Sequence, residues 1–295
     1  MSCHPRRWAA AAALALAGLA GATAEPASAE PKNLLFFGNS FSQQDNVPGK
    51  VGLLAQADGY EAPRIVADLQ GGQTFDYHLG EVTNNPANNV ASSSLPAGET
   101  WDYVVLQGFS TEATEEFNSH AEFARDAVAL YEAVRDQSSG KGQGVTPMLY
   151  QTWARAVGHE YYPSRWSGPT EMQADVRAGY EAALEALSAV NNDAAVSLVG
   201  DAFEARNFEL SLYDSDRYHA STSGSLLASL VIYRTTYGED VGDIAYADVQ
   251  SFAGVNEDRW NQLVATADAI AVPEPAAVSV GVAAGSLALL RRARR

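Results

Sequence analysis

Five short apolar runs spaced along the chain, separated by polar breaks and amphipathic stretches, constrain its fold more than any other feature. They are 33–37 (NLLFF), 64–69 (RIVADL), 103–106 (YVVL), 147–150 (PMLY) and 195–199 (AVSLV). Short runs with little polar alternation suit strands buried on both faces, and such strands belong to parallel sheets covered by helices. Helical periodicity falls over 121–134 and 171–189, and again over 223–237 and 257–269. Strands alternating with helices predict an α/β fold with a central parallel sheet of about five strands. The stretch 84–99, rich in Asn, Ser and Pro, reads as a surface loop. In such sheets function gathers beyond the carboxyl ends of the strands, where Ser40, Gly72, Gln107, Thr152 and Asp201 fall.

Both ends read as processing signals rather than as parts of that fold. Arg6 and Arg7 precede an apolar, Ala-rich run, and small residues follow at Ala22-Thr23-Ala24 and Ala27-Ser28-Ala29. That order predicts a secretory signal peptide over 1–29, an N-terminal anchor being the alternative. At the other end Val272-Pro273-Glu274-Pro275 leads into an apolar stretch and the basic Arg291-Arg292-Ala293-Arg294-Arg295. The apolar stretch reaches roughly 22 Å as a helix, short of a comfortable bilayer span. Residues 272–295 resemble a PEP-CTERM sorting signal. The resemblance implies transient membrane contact through the tail and an exosortase-type processing enzyme as partner. An uncleaved tail anchor would give the same exported topology, in the periplasm, at the cell surface or in the extracellular matrix. The remaining residues, 30–271, form the expected globular domain.

Charge narrows the partners. The two ends hold Glu25, Glu274 and six arginines; without them the 36 acidic and 19 basic residues become 34 and 13, a net charge of −21. Such a field argues against nucleic acid and against anionic lipid headgroups as partners. The single cysteine, Cys3, lies within the expected signal peptide, so the body has neither disulfides nor thiol chemistry.

Two segments carry the chemistry. In Gly38-Asn39-Ser40 a serine directly follows a strand, where a tight turn can expose its hydroxyl beside backbone N–H groups. An ordinary helix cap is the alternative there. In Tyr213-Asp-Ser-Asp-Arg-Tyr-His219 a histidine lies three residues after Asp216, so one loop can turn both toward each other. Asp214 is a second, less well matched partner. A serine hydroxyl needs an imidazole to take its proton, and the imidazole needs a carboxylate to orient it.

Together these segments resemble the SGNH/GDSL hydrolases. Gly38-Asn39-Ser40 matches that family's first block and Asp216-Arg-Tyr-His219 its last; Gly72 matches the second. The third block normally carries Gly-x-Asn, and here Gln107 stands in place of the asparagine. Gln151-Thr-Trp153 and Leu106-Gln107 match a bacterial branch of the superfamily. The resemblance spans roughly residues 32 to 240. It implies a three-layer α/β/α flavodoxin-like sandwich and a serine esterase with Ser40, His219 and Asp216 as its triad. It also implies an oxyanion hole from Ser40, Gly72 and the Gln107 side chain, with no metal or organic cofactor. Trp153, with Tyr161, Tyr162 and Trp166, is a candidate sugar-stacking surface against ordinary aromatic packing. His78 reads as a helix-surface residue rather than part of the site, and Asp201 as a helix cap. The expected substrate is a small-molecule or polysaccharide ester, with O-acyl carbohydrate favoured. Two alternatives stay open: a non-catalytic carbohydrate-binding surface protein on the same fold, and an O-acyltransferase.

Overall fold

The fold, a computed structural model, describes residues 31–272. The signal peptide expected over 1–29 lies outside the described residues, as does the sorting signal apart from Val272. Five strands, β1 (Asn33–Gly38), β2 (Arg64–Leu69), β3 (Tyr103–Leu106), β4 (Thr146–Tyr150) and β5 (Ala195–Ser197), form one parallel sheet in the order β2-β1-β3-β4-β5. The helices are α1 (Ser40–Gln43), α2 (Val47–Ala57), α3 (Phe75–Asn84), α4 (Val90–Ser93) and α5 (His120–Gln137), followed by α6 (Pro169–Ser188), α7 (Val199–Ala205), α8 (Thr222–Tyr237), α9 (Tyr246–Ala253) and α10 (Glu257–Ala269). This is the expected α/β/α sandwich.

The sheet explains why β1 is apolar without alternation. Leu34 and Phe36 enter a core shared with α2, α7, α8 and α10, while Leu35 and Phe37 enter the opposite core under α3, α5 and α6. All four side chains are fully buried. A run that alternated polar residues would place charge in one of these two cores. From β1 the chain passes to β2 on one side and then crosses to β3 on the other. The carboxyl ends of β1 and β3 therefore border the crevice where strand order reverses, the usual place for a site in such sheets.

Two local expectations need correction, and one helix was not foreseen. The fifth strand ends at Ser197, because Leu198 leaves extended geometry and Val199 begins α7. Residues 84–99 are not all surface loop: Asn89 caps the helical turn α4, Ala91 and Leu95 are buried, and Trp101 donates its indole N–H to Ala91 O at 2.9 Å. Helix α2 carries no marked sequence signal, since Gly49 and Gly52 weaken its propensity. It forms because Val47, Val51, Leu54 and Ala55 pack into the core beside α8. Gly52 is small for a reason: a Cβ there would stand 2.9 Å from Ile65 Cδ1.

Candidate active site

The site grows from the end of β1. Asn39 caps α1, its Oδ1 accepting from Phe41 N at 3.2 Å, so Ser40 becomes the first residue of a short helical turn. The Asn39 amide is buried and bonded on every side. Its Nδ2 donates to Gln73 O at 3.0 Å and Gly108 O at 3.3 Å, and its Oδ1 also accepts from Gln107 Nε2 at 2.9 Å. One side chain thus ties the turn carrying Ser40 to the loops after β2 and β3. The sequence marked Asn39 as a cap; its role as a hub depends on long-range partners that sequence spacing does not reveal.

Gln107 sits differently from its expected place in an oxyanion hole. It is buried behind the Ser40 turn, and its Oε1 accepts from Asn39 N at 3.0 Å and Ser42 Oγ at 2.9 Å. Its Nε2 donates to Asn39 Oδ1 and to Gly108 O. Both amide hydrogens are committed, so none is left for a substrate oxygen. The extra methylene relative to Asn lets this amide reach beneath the turn. Gly38 must be glycine to admit it, since a Cβ there would lie 2.8 Å from Gln107 Oε1. Gln107→Ala should leave buried donors at Asn39 N and Ser42 Oγ unpaired and cost about 2–3 kcal/mol, measured by urea unfolding. An oxyanion donor would instead give a loss of kcat at unchanged stability.

The second half of the site is the loop from Tyr213 to Ala220. These two residues form an antiparallel bridge, and Asp214 N donates to His219 O at 2.9 Å. Arg217 takes a left-handed conformation (φ 60°) at the loop tip, which turns Asp216 back toward His219. Asp216 Oδ2 lies 2.7 Å from His219 Nδ1, while its Oδ1 accepts from the N–H groups of Tyr218 and His219, each at 2.9 Å. His219 Nε2 lies 2.9 Å from Ser40 Oγ. Ser40, His219 and Asp216 are therefore in hydrogen-bonding line, across 179 residues of sequence. Asp214 is not the partner of His219; its carboxylate accepts from Gln44. Partial burial pushes the Asp216 carboxyl up, but the hydrogen bonds from the His219 ring and the two backbone N–H groups outweigh it and hold the group below the ordinary range.

Gly72 is exposed with φ 75° on the turn after β2, a conformation that favours glycine. Among the described residues, no protein acceptor takes the backbone N–H of Ser40 or of Gly72. Trp153 corrects another expectation. It has no exposed surface for a substrate, being stacked between Phe41 at 4.2 Å and Phe203 at 4.4 Å. Its indole N–H donates to Tyr218 O at 3.2 Å, so it buttresses both the Ser40 turn and the His219 loop. Trp166 is likewise nearly buried, and Tyr162 donates its hydroxyl to Arg155 O. Of that aromatic group Tyr161 and Tyr162 are half-buried, and Trp153 and Trp166 are buried.

His78 is not on a helix surface. It is fully buried under the Ser40 turn, with Nε2 3.0 Å from Gly38 O and Nδ1 3.4 Å from Asp68 Oδ2. Asp201 lies in the first turn of α7 rather than at its cap, and pairs with Arg177. Arg155 was not foreseen. Its guanidinium is buried 3.7 Å from the Tyr218 ring centroid and donates to Ser110 Oγ at 2.8 Å. Nothing in the sequence around Arg155 distinguishes it from a surface arginine; its burial comes from the loops that close over it.

No protein-family model matches the sequence, and no curated protein does. Solved structures are similar. A protein from Slackia heliotrinireducens described as an SGNH hydrolase shares 26% identity at a TM-score of 0.51, covering 69% of this chain and 98% of its own. A DUF4886 family protein from Bacteroides uniformis shares 21% identity at a TM-score of 0.60, covering 81% of this chain and 94% of its own. A lipase/acylhydrolase from Enterococcus faecalis shares 17% identity at a TM-score of 0.50, covering 70% and 96%. The structural neighbours of this chain thus include SGNH/GDSL hydrolases, and its fold is theirs.

Proposed function

We propose that this chain is an exported serine ester hydrolase that removes O-acyl groups from carbohydrate by an acyl-enzyme mechanism. The observation that carries it is His219, whose ring lies within hydrogen-bond distance of both Ser40 Oγ and Asp216 Oδ2. Ser40 Oγ attacks the ester carbonyl while His219 Nε2 takes its proton, and Asp216 holds the ring and offsets the charge it acquires. The oxyanion is met by the N–H groups of Ser40 and Gly72, both without protein acceptors among the described residues. His219 then returns the proton to the leaving alcohol, and water activated by the same ring releases the acid and restores Ser40. The strongly acidic body favours a neutral ester over an anionic one, and the two terminal signals favour action outside the inner membrane. The test is p-nitrophenyl acetate turnover by the wild type beside Ser40→Ala, with chelator throughout. Turnover in the wild type that vanishes in Ser40→Ala supports the mechanism. Equal activity in both would place the nucleophile elsewhere.

A further inference from the structure

The loops after β2 and β3 meet at a buried carboxylate that the mechanism above does not use. Glu112 lies five residues beyond Gln107 and is 8% exposed. Its Oε1 accepts from Phe75 N at 3.3 Å and its Oε2 from Phe109 N at 2.7 Å. Phe75 is the first residue of α3, and the preceding Thr74 supplies no side-chain cap. Glu112 therefore caps α3 from a different loop, satisfying an N–H that would otherwise be orphaned. Phe75 follows Gly72 by three residues, and Phe109 follows Gln107 by two. Gly108 packs directly onto the carboxylate: a Cβ there would stand 3.0 Å from Glu112 Oε2 and 2.6 Å from Phe123 Cε2. Asn39 holds Gln73 O and Gly108 O from the other side. The Gly72 turn is thus fixed to the nucleophile turn by Asn39 and to the β3 loop by Glu112.

We propose that Glu112 is a positioning residue for ester hydrolysis: its carboxylate, bridging Phe75 N and Phe109 N, holds the Gly72 N–H in place relative to Ser40. This rests on the esterase mechanism proposed above. The chemistry requires a carboxylate, because two N–H donors converge on two acceptor oxygens. A glutamine offers one acceptor and turns its NH₂ toward the other N–H. An aspartate is one methylene too short to span the same gap. Burial raises the Glu112 carboxyl to about 7, against the hydrogen bonds from Phe109 N and Phe75 N, with Asp126 on α5 and Asp76 on α3 raising it further. Tyr180 on α6 faces it as well and remains neutral. Below pH 7 one acceptor oxygen becomes an O–H, and the bridge weakens. Bridging and turnover should therefore fall together as Glu112 takes up its proton.

The experiment compares the full chain with Glu112→Gln and Glu112→Asp, following kcat and KM for p-nitrophenyl acetate against pH, with Ser40→Ala as blank. A mispositioned oxyanion donor costs part of the roughly 10²–10³-fold that losing one costs. Glu112→Gln should accordingly lower kcat about 10–100-fold above pH 7 with KM nearly unchanged. It should also lose the part of the acidic limb that Glu112 contributes, leaving the part due to protonation of the catalytic imidazole. Hydrogen exchange at Phe75 and Phe109 gives a readout without catalysis: protection at both amides should drop in Glu112→Gln and, in the wild type, fall as pH is lowered through 7. If kcat, its pH profile and both protection factors match the wild type in a folded Glu112→Gln, the proposal is overturned. If Glu112→Gln does not fold, Glu112→Asp carries the same comparison. A wild type inert toward all esters would remove the esterase mechanism, while the exchange data would still decide whether the bridge holds the loops.

Discussion

His219→Ala is expected to lower kcat for p-nitrophenyl acetate about 10⁶-fold, and the double variant Ser40→Ala/His219→Ala to be no slower than either single one. The non-additivity follows from the geometry. His219 Nε2 lies 2.9 Å from Ser40 Oγ, so each group is useless to the nucleophilic step without the other. Asp216→Asn should cost less, on the order of 10⁴-fold. The amide can keep the contacts to Tyr218 N and His219 N but cannot accept from Nδ1 while offering the charge that the imidazolium needs. Because the Asp216 carboxyl is held below the ordinary carboxylate range, it stays ionised down into that range. Any acidic limb of kcat/KM at higher pH therefore belongs to another group. Single-turnover kinetics on the four variants (Ser40→Ala, His219→Ala, their double and Asp216→Asn) measures these effects. Purely additive losses in the double variant would show that Ser40 and His219 do not act as a unit.

The fold was legible because its strands are. The run Leu34 to Phe37 is apolar on both faces, and only a sheet sandwiched between two helical layers buries both. Helix α2 was not legible, since its two glycines weaken the local signal and its stability comes from packing against α8. In the candidate site the residues that meet through local geometry were legible: Asp216 and His219 share one loop, and Ser40 follows one strand. The residues that fix their surroundings were not. Gln107 was assigned to the cleft because its amide is the right chemistry, whereas its partners Asn39 and Ser42 lie 65 to 68 residues away. His78 and Glu112 look like surface residues of amphipathic segments, yet each is buried by a bond to backbone from another element. Polar residues whose burial is compensated by distant backbone groups leave no periodic trace in the sequence.

Trp153→Ala should be the most destabilising single truncation near the site. The indole is fully buried, lies almost parallel to both Phe41 and Phe203, and fills the space between the Ser40 turn and α7. Removing it takes away its transfer free energy and leaves a cavity between two rings, a loss of about 3–5 kcal/mol. For a body of this size that corresponds to a Tm roughly 6–20 °C lower. Trp153→Phe separates packing from anchoring. A phenyl ring preserves most of the stack but cannot donate to Tyr218 O, so stability should fall by only about 1 kcal/mol more than the loss in ring area requires. Tyr218 immediately precedes His219, and its ring lies 4.0 Å from the imidazole. Freeing its carbonyl should loosen the loop and lower kcat several-fold while KM holds. Had Trp153 been a substrate platform, the opposite pattern would follow: a raised KM with Tm unchanged. Calorimetry and steady-state kinetics on the two variants distinguish these outcomes, because a side chain with no exposed surface can affect turnover only through the groups it supports.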